Sequence, residues 1–234
     1  MNKKSIKLFL FATLGLFFLN GCMKDSDELL NDLPPQAFFT MINAYEGSDF
    51  VIHKADNNFI QTMNNPLLFK AINFVYLYPG NRKIQTIDKQ NNIIIDSTFT
   101  IKDESLYTSI IFRTLGNKAG QHLIVDSLVN NLATNSALRF LNLAEGTHNI
   151  NVFLSNTAII SNRNFDGTTA DLNHFKFVPQ QSGFNKIIIK DESNQTLIEK
   201  DINLAPGIHY TIALIKSSID ENKYEIIAHQ QYRN

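Results

Sequence analysis

A single cysteine, Cys22, stands in 234 residues. No disulfide can form within the chain, so its fold must be held by a hydrophobic core. Tryptophan is absent, and glycine numbers only 10. No glycine-rich phosphate cradle and no Gly-x-Ser-x-Gly elbow occurs, which removes two common catalytic frames. The six histidines, His53, His122, His148, His174, His209 and His229, show no metal-ligand spacing. The nearest acid–histidine pairing, Asp171 with His174, reads as a solvated turn. Basic blocks are missing too, and nucleic acid recognition needs clustered Lys and Arg. The expectation is a protein without cofactor, metal site, catalytic residues or nucleic-acid partner, and not an enzyme.

What is present begins at the N-terminus. Lys3, Lys4 and Lys7 precede an apolar run from Leu8 to Leu19, broken only by Thr13 and Gly15. A basic stub before a short apolar segment marks a secretory signal peptide. At about 12 residues the run falls short of the roughly 20 that a membrane-spanning helix needs. It ends in Leu19-Asn20-Gly21-Cys22, which resembles the bacterial lipobox. That resemblance implies cleavage between Gly21 and Cys22, loss of residues 1–21, and a diacylglyceryl thioether on Cys22. Two acyl chains, at about 0.8 kcal/mol per buried methylene, suffice for stable membrane attachment. Membrane contact is therefore expected through the N-terminal lipid.

Residues 22–35 read as a tether, stiffened at its end by Pro34-Pro35. Its acidic start, Asp25-Ser26-Asp27-Glu28, has two readings. It is either a solvated spacer or a signal that sends lipoproteins of diderm bacteria to the outer surface. The expected address is the outer membrane, at the cell surface or facing the periplasm. Without its leader the chain keeps 18 basic against 22 acidic residues, a net charge of −4.

The remainder is written twice. Met41 to Gly47 (MINAYEG) matches Phe140 to Gly146 (FLNLAEG). Gly80 to Ile111 then lies over Gly183 to Leu214 without a gap. Gly80, Lys83, Ile84, Asp88, Asn91, Tyr107 and Thr108 fall on Gly183, Lys186, Ile187, Asp191, Asn194, Tyr210 and Thr211. Two collinear blocks indicate duplication. The units are placed at 36–131 and 132–234, each of a size that folds as a domain.

Within each unit the hydrophobic pattern has period two. Ile150, Val152 and Leu154 alternate with Asn151 and Phe153, and sustained helical spacing is missing beyond the leader. The fold class expected is all-β, as two tandem sandwich domains. Asp88 and Asp191, each with Asn three residues on, suit hairpin turns better than calcium loops. Tyr107 and Tyr210 resemble the tyrosine whose hydroxyl ties a loop beside a late sandwich strand. Ile42, Ile84, Ile101, Leu141, Ile187 and Leu204 are expected in the core.

Each unit opens with an apolar-Asn-x-x-x-Gly segment (Ile42-Asn43 to Gly47; Leu141-Asn142 to Gly146). Each continues through a Tyr/Phe-rich strand and a hairpin to a Tyr-Thr strand. Together with the lipobox, this resembles the bacterial domain of unknown function 4397, found in tandem in exported lipoproteins. The resemblance implies sandwich units of the immunoglobulin or transthyretin kind, and it brings no activity or catalytic residues.

One stretch has recognition potential. Phe74, Tyr76 and Tyr78 alternate along Asn73 to Gly80. On an outer face they form a platform for sugars or peptides. Burial energetics favour the other reading, in which this face is sandwich core, as for Phe175 and Phe177 in the second unit. Three roles stay open: display of the units to an unknown protein partner, glycan binding for a nutrient-uptake system, or a subunit of a surface filament.

The leader makes a direct prediction. Cys22→Ser should move the protein from the membrane fraction to the soluble fraction on cell fractionation. Persistent membrane attachment of the variant would refute the lipid anchor.

Overall fold

The computed structural model describes residues 34–167 and 171–233. The expected signal peptide, Cys22 and most of the tether lie outside the described residues. Nine strands come first: β1 (Ala37–Ala44), β2 (Phe50–Ala55), β3 (Asn58–Phe59), β4 (Leu67–Leu68), β5 (Ile72–Leu77), β6 (Gly80–Ile87), β7 (Ile93–Ile101), β8 (Leu106–Thr114) and β9 (Lys118–Asp126). Eight follow: β10 (Asn135–Asn142), β11 (Ile150–Leu154), β12 (Thr157–Arg163), β13 (Val178–Gln181), β14 (Gly183–Lys190), β15 (Thr196–Leu204), β16 (Ile208–Lys216) and β17 (Tyr224–Arg233). A short 3-10 helix, Leu172–Phe175, precedes β13. The fold is all-β, as expected. Among the described residues no helix is long and apolar enough to cross a membrane.

The strands form four sheets, and the second pair repeats the first. One half holds β5-β1-β8-β9 and β3-β2-β6-β7; the other holds β13-β10-β16-β17 and β12-β11-β14-β15. In each half the first strand runs parallel to the penultimate one, β1 with β8 and β10 with β16. Every pairing between these strands stays within one half.

Small details repeat as well. Gly80 and Gly183 share the same left-handed φ of 118°, open to glycine alone without strain. The Asp88 carboxylate accepts the N–H groups of Gln90 and Asn92, and Asp191 accepts that of Gln195. Asn91 and Asn194 take φ values of 67° and 63°, so both sites are the hairpin turns expected of them. The Tyr107 hydroxyl accepts the Lys102 N–H at 2.9 Å, and the Tyr210 hydroxyl accepts the Ala205 N–H at 2.8 Å. Asn43 and Asn142 each accept the N–H two residues ahead, which bends the chain out of the first strand.

Each half has its own core between its two sheets. Phe39, Met41, Ile84 and Ile101 belong to the first; Phe140, Ile187, Leu204 and Ile212 belong to the second. A third core gathers residues from both halves: Ile42, Ile110 and Phe112 pack with Leu141, Ala213 and Ile215. All six positions expected to be buried are buried. Ile42 and Leu141, however, lie between the halves rather than inside either sandwich. β1, β8, β10 and β16 are therefore covered on both faces, which explains why they read as nearly unbroken apolar runs. β7 and β15 keep polar residues on an exposed face.

The seam has a charged centre, between this third core and a fourth buried cluster of Leu132, Ala137, Phe177 and Tyr232. Arg139 on β10 and Asp126 on β9 are completely buried and pair at 2.5 Å. The guanidinium also donates to Thr211 (2.9 Å), Thr108 (3.2 Å) and Gln231 (3.0 Å), and it lies over the Phe177 ring. The Tyr232 hydroxyl donates to the other Asp126 oxygen at 2.5 Å. Burial first, then the Asp126 charge, pushes the Tyr232 hydroxyl above its usual range. At the far end of the seam Arg113 sits between Glu46 (3.6 Å) and Glu145 (3.5 Å), the matched residues of the repeated opening segment.

A buried ion pair with full hydrogen bonding contributes little net stability, but removing one partner strands a charge in low dielectric. Arg139→Ala should therefore lower the unfolding free energy by about 3–5 kcal/mol. The double variant Arg139→Met with Asp126→Leu should recover most of that loss. Urea unfolding followed by circular dichroism measures both; a loss below about 1 kcal/mol in the single variant would contradict the account.

Candidate functional site

The two halves differ most at the outer edge of their inward-facing sheets. β5 pairs only with β1, which sets Tyr76 opposite Phe38 and Phe74 opposite Thr40. Phe38 and Thr40 look toward the second half, where both meet Tyr232 of β17. β17 is itself an edge strand, so nothing in its sheet extends over β5. Phe74, Tyr76 and Tyr78 are left 59%, 61% and 61% exposed. This corrects the reading of that face as core. Ring burial is favourable only where a second sheet lies opposite, and here the opposing sheet stops one strand short. In the second half Phe175 and Phe177 are buried, as expected of them. The position matching Phe74 is Phe177, which Arg139 covers.

The exposed rings are held. Phe38 stacks on Phe74 at 5.1 Å and meets Tyr76 and Tyr232 edge-on at 5.5 and 5.8 Å. Arg82 fixes the end of the strand: it donates to the carbonyls of Tyr78 and Pro79, both at 2.9 Å, and to Asp56 at 3.0 Å. The Lys83 backbone N–H, then Arg82, hold the Asp56 carboxyl below its usual range. Asn73 accepts the Phe74 N–H at 2.7 Å, so the strand edge is partly closed by its own side chains.

Two clefts flank this ridge, and Tyr76 is a wall of both. One, of about 340 Å³, lies between β5 and the β2–β3 hairpin, with Asp56, Asn58, Phe59, Tyr78 and Arg82 in its lining. The other, of about 490 Å³, opens over the seam between the halves. Phe38, Glu104 and Leu106 of the first half line it together with Leu128, Tyr232 and Arg233. Stacking and hydrogen bonding are what such surfaces can supply. Sequence reasoning found Phe74, Tyr76 and Tyr78 but missed Phe38, Phe59, Tyr232, Asp56 and Arg82. The one available signal was Phe38-Phe39: adjacent residues of a strand point to opposite faces, so one ring had to leave the sandwich core.

Burial pushes the His53 imidazole down to about 4 and lowers His122, His209 and His229. Asp171 caps the 3-10 helix by accepting the Asn173 N–H. His174 turns instead to the buried Asp166, at 2.6 Å. Among the described residues no group of three or more His, Cys, Asp or Glu side chains is arranged to hold a metal ion.

No family model matches this chain, and no curated protein matches it. Among solved structures it is similar to streptococcal family 41 carbohydrate-binding modules described in terms of alpha-glucan recognition. The identity is 9% and the TM-score 0.24, over 80% of this chain and 96% of that one. It is also similar to a multi-modular, glycogen-degrading pneumococcal virulence factor, at 10% identity and a TM-score of 0.25 over 81% of this chain. There it spans only 21% of the other protein. Likenesses of this size assign neither ligand nor topology.

Exposure of the ridge has a measurable consequence. Alanine at Phe74, Tyr76 or Tyr78 should each cost no more than about 1.5 kcal/mol of stability. Phe39→Ala, in the first core, should cost about 3–5 kcal/mol. Urea unfolding of the four variants checks this; a core-sized loss at the three ridge positions would contradict their placement.

Proposed function

We propose that the chain is a lipid-anchored, non-enzymatic protein of the bacterial envelope that recognises its partner along the β5 edge. The lipobox-like Leu19 to Cys22 supports the anchor, and residues 22–35 supply the reach. The resemblance to tandem exported lipoproteins of the domain-of-unknown-function-4397 kind supports the same address, on the outer membrane. One observation carries the choice of face: three large aromatic side chains, each about 60% exposed, stand in a row on a strand held by Phe38 and Arg82. Single exposed rings are ordinary, whereas a rigid row beside two clefts marks an interaction site.

Glycan binding is the second reading, and the exposure of Phe74, Tyr76 and Tyr78 favours it over a filament subunit. A filament contact through strand addition needs free backbone groups at the edge. On β5 the Phe74 N–H and the Tyr78 carbonyl are already engaged by Asn73 and Arg82.

A photo-crosslinking residue at position 76, tested on intact cells, checks the face. Adducts should form from position 76 and not from Thr98, exposed on β7 of the outer sheet. Equal labelling at both positions, or none at 76, would refute the proposal. Periodate sensitivity of an adduct identifies sugar, and protease sensitivity identifies protein.

A further inference from the structure

We infer that the β5 edge binds an extended, uncharged glycan chain laid across both clefts, with Tyr76 beneath its middle. This rests on the recognition face proposed above. Tyr76 is the one ridge residue that lines the cleft beside the β2–β3 hairpin and also the cleft over the seam. A ligand touching both surfaces of the ridge must cross that ring.

The chemistry of the clefts selects the class. Each holds one carboxylate and one guanidinium: Asp56 with Arg82 on one side, Glu104 with Arg233 on the other. Over its lining residues neither cleft carries a net charge, and the Lys54 ammonium, 4.9 Å from the Phe59 ring centroid, adds one cation rather than the basic surface a polyanion needs. Around the rings stand Asn58 and Gln36, whose amides both donate and accept. Apolar ring faces bordered by two-way hydrogen-bonding groups match a sugar, whose C–H faces stack while its hydroxyls donate and accept. A peptide strand is the poorer occupant, since the Phe74 N–H and the Tyr78 carbonyl at this edge are already engaged by Asn73 and Arg82.

Length follows from the layout. A single sugar fills one cleft only, whereas a chain reaching both gains its second contact at high effective concentration. The seam cleft is built from both halves, with Phe38 and Glu104 facing Tyr232 and Arg233. A bound chain thus bridges the duplicated units.

The test uses the full chain extracted in mild detergent. Native gels cast with glycogen, a β-1,3-glucan, xylan or galactomannan identify a retarding polysaccharide. Calorimetric titration then compares its monosaccharide with its hexasaccharide. The hexasaccharide should bind at least about tenfold more tightly, and Tyr76→Ala should weaken it by at least about tenfold. Phe59→Ala and Arg233→Ala, one in each cleft, should each weaken the hexasaccharide several-fold while leaving the circular dichroism spectrum unchanged. Equal affinity for the two sugars, or no loss in either cleft variant, overturns the spanning mode alone. Adducts at position 76 without retardation by any polysaccharide overturn the glycan and leave the recognition face standing. Absence of adducts overturns both.

Discussion

Everything distinctive about this molecule depends on one constraint: the inner sheet of each half must be covered on both faces. Within a half, β1 and β8 bury one face against the outer sheet and offer the other to the second copy. An isolated half would expose Ile42, Ile110 and Phe112 together, a contiguous apolar surface that soluble domains seldom carry. The seam between the halves is accordingly a core in its own right. The Arg139–Asp126 pair lies at its centre, where each charge is neutralised by a residue of the other half.

The same constraint creates the site. Two sheets of equal width, packed so that β1 meets β17, leave a strand overhanging on the first half. On the opposite side, Phe165 and Phe175 of the segment after β12 fill the comparable space against Phe112 and His122. The rings on the open edge are ordered by Phe38, which belongs to a strand inside the stack. A rigid interior thereby presents an exposed surface of defined geometry, which limits the entropy lost when a partner binds.

Much of this was legible in the residues. The glycines that open β6 and β14, the Asp–Asn hairpins and the two loop-tying tyrosines were visible as paired positions, because local backbone chemistry dictates them. The third core was not legible. Period-two reasoning assigns one buried face per strand, so Ile42 and Leu141 were expected in the core with nothing to mark a second buried face on their strands. Arg139, lying between Leu138 and Phe140, gave no local sign of its partner, since Asp126 approaches from a different sheet. The ridge was found by residue type but misplaced by burial energetics, which cannot know that the facing sheet ends at β17.

The contact between the halves is reciprocal. Thr40 of β1 meets β17, and its counterpart Arg139 of β10 meets β9. The matched positions Leu106 and His209 pair with Asp126 and Tyr232, and a bulge leaves Gln231 beside Tyr232, so no carboxylate stands in the second half where Asp126 stands in the first. Two first halves joined in this manner would set Asp126 against Thr40, and two second halves would set Arg139 against Gln231. Either like-with-like dimer would bury two charges of one sign at its centre with no counter-ion. Only the unlike pair is neutral, so these two side chains favour each half with the other over either half with itself.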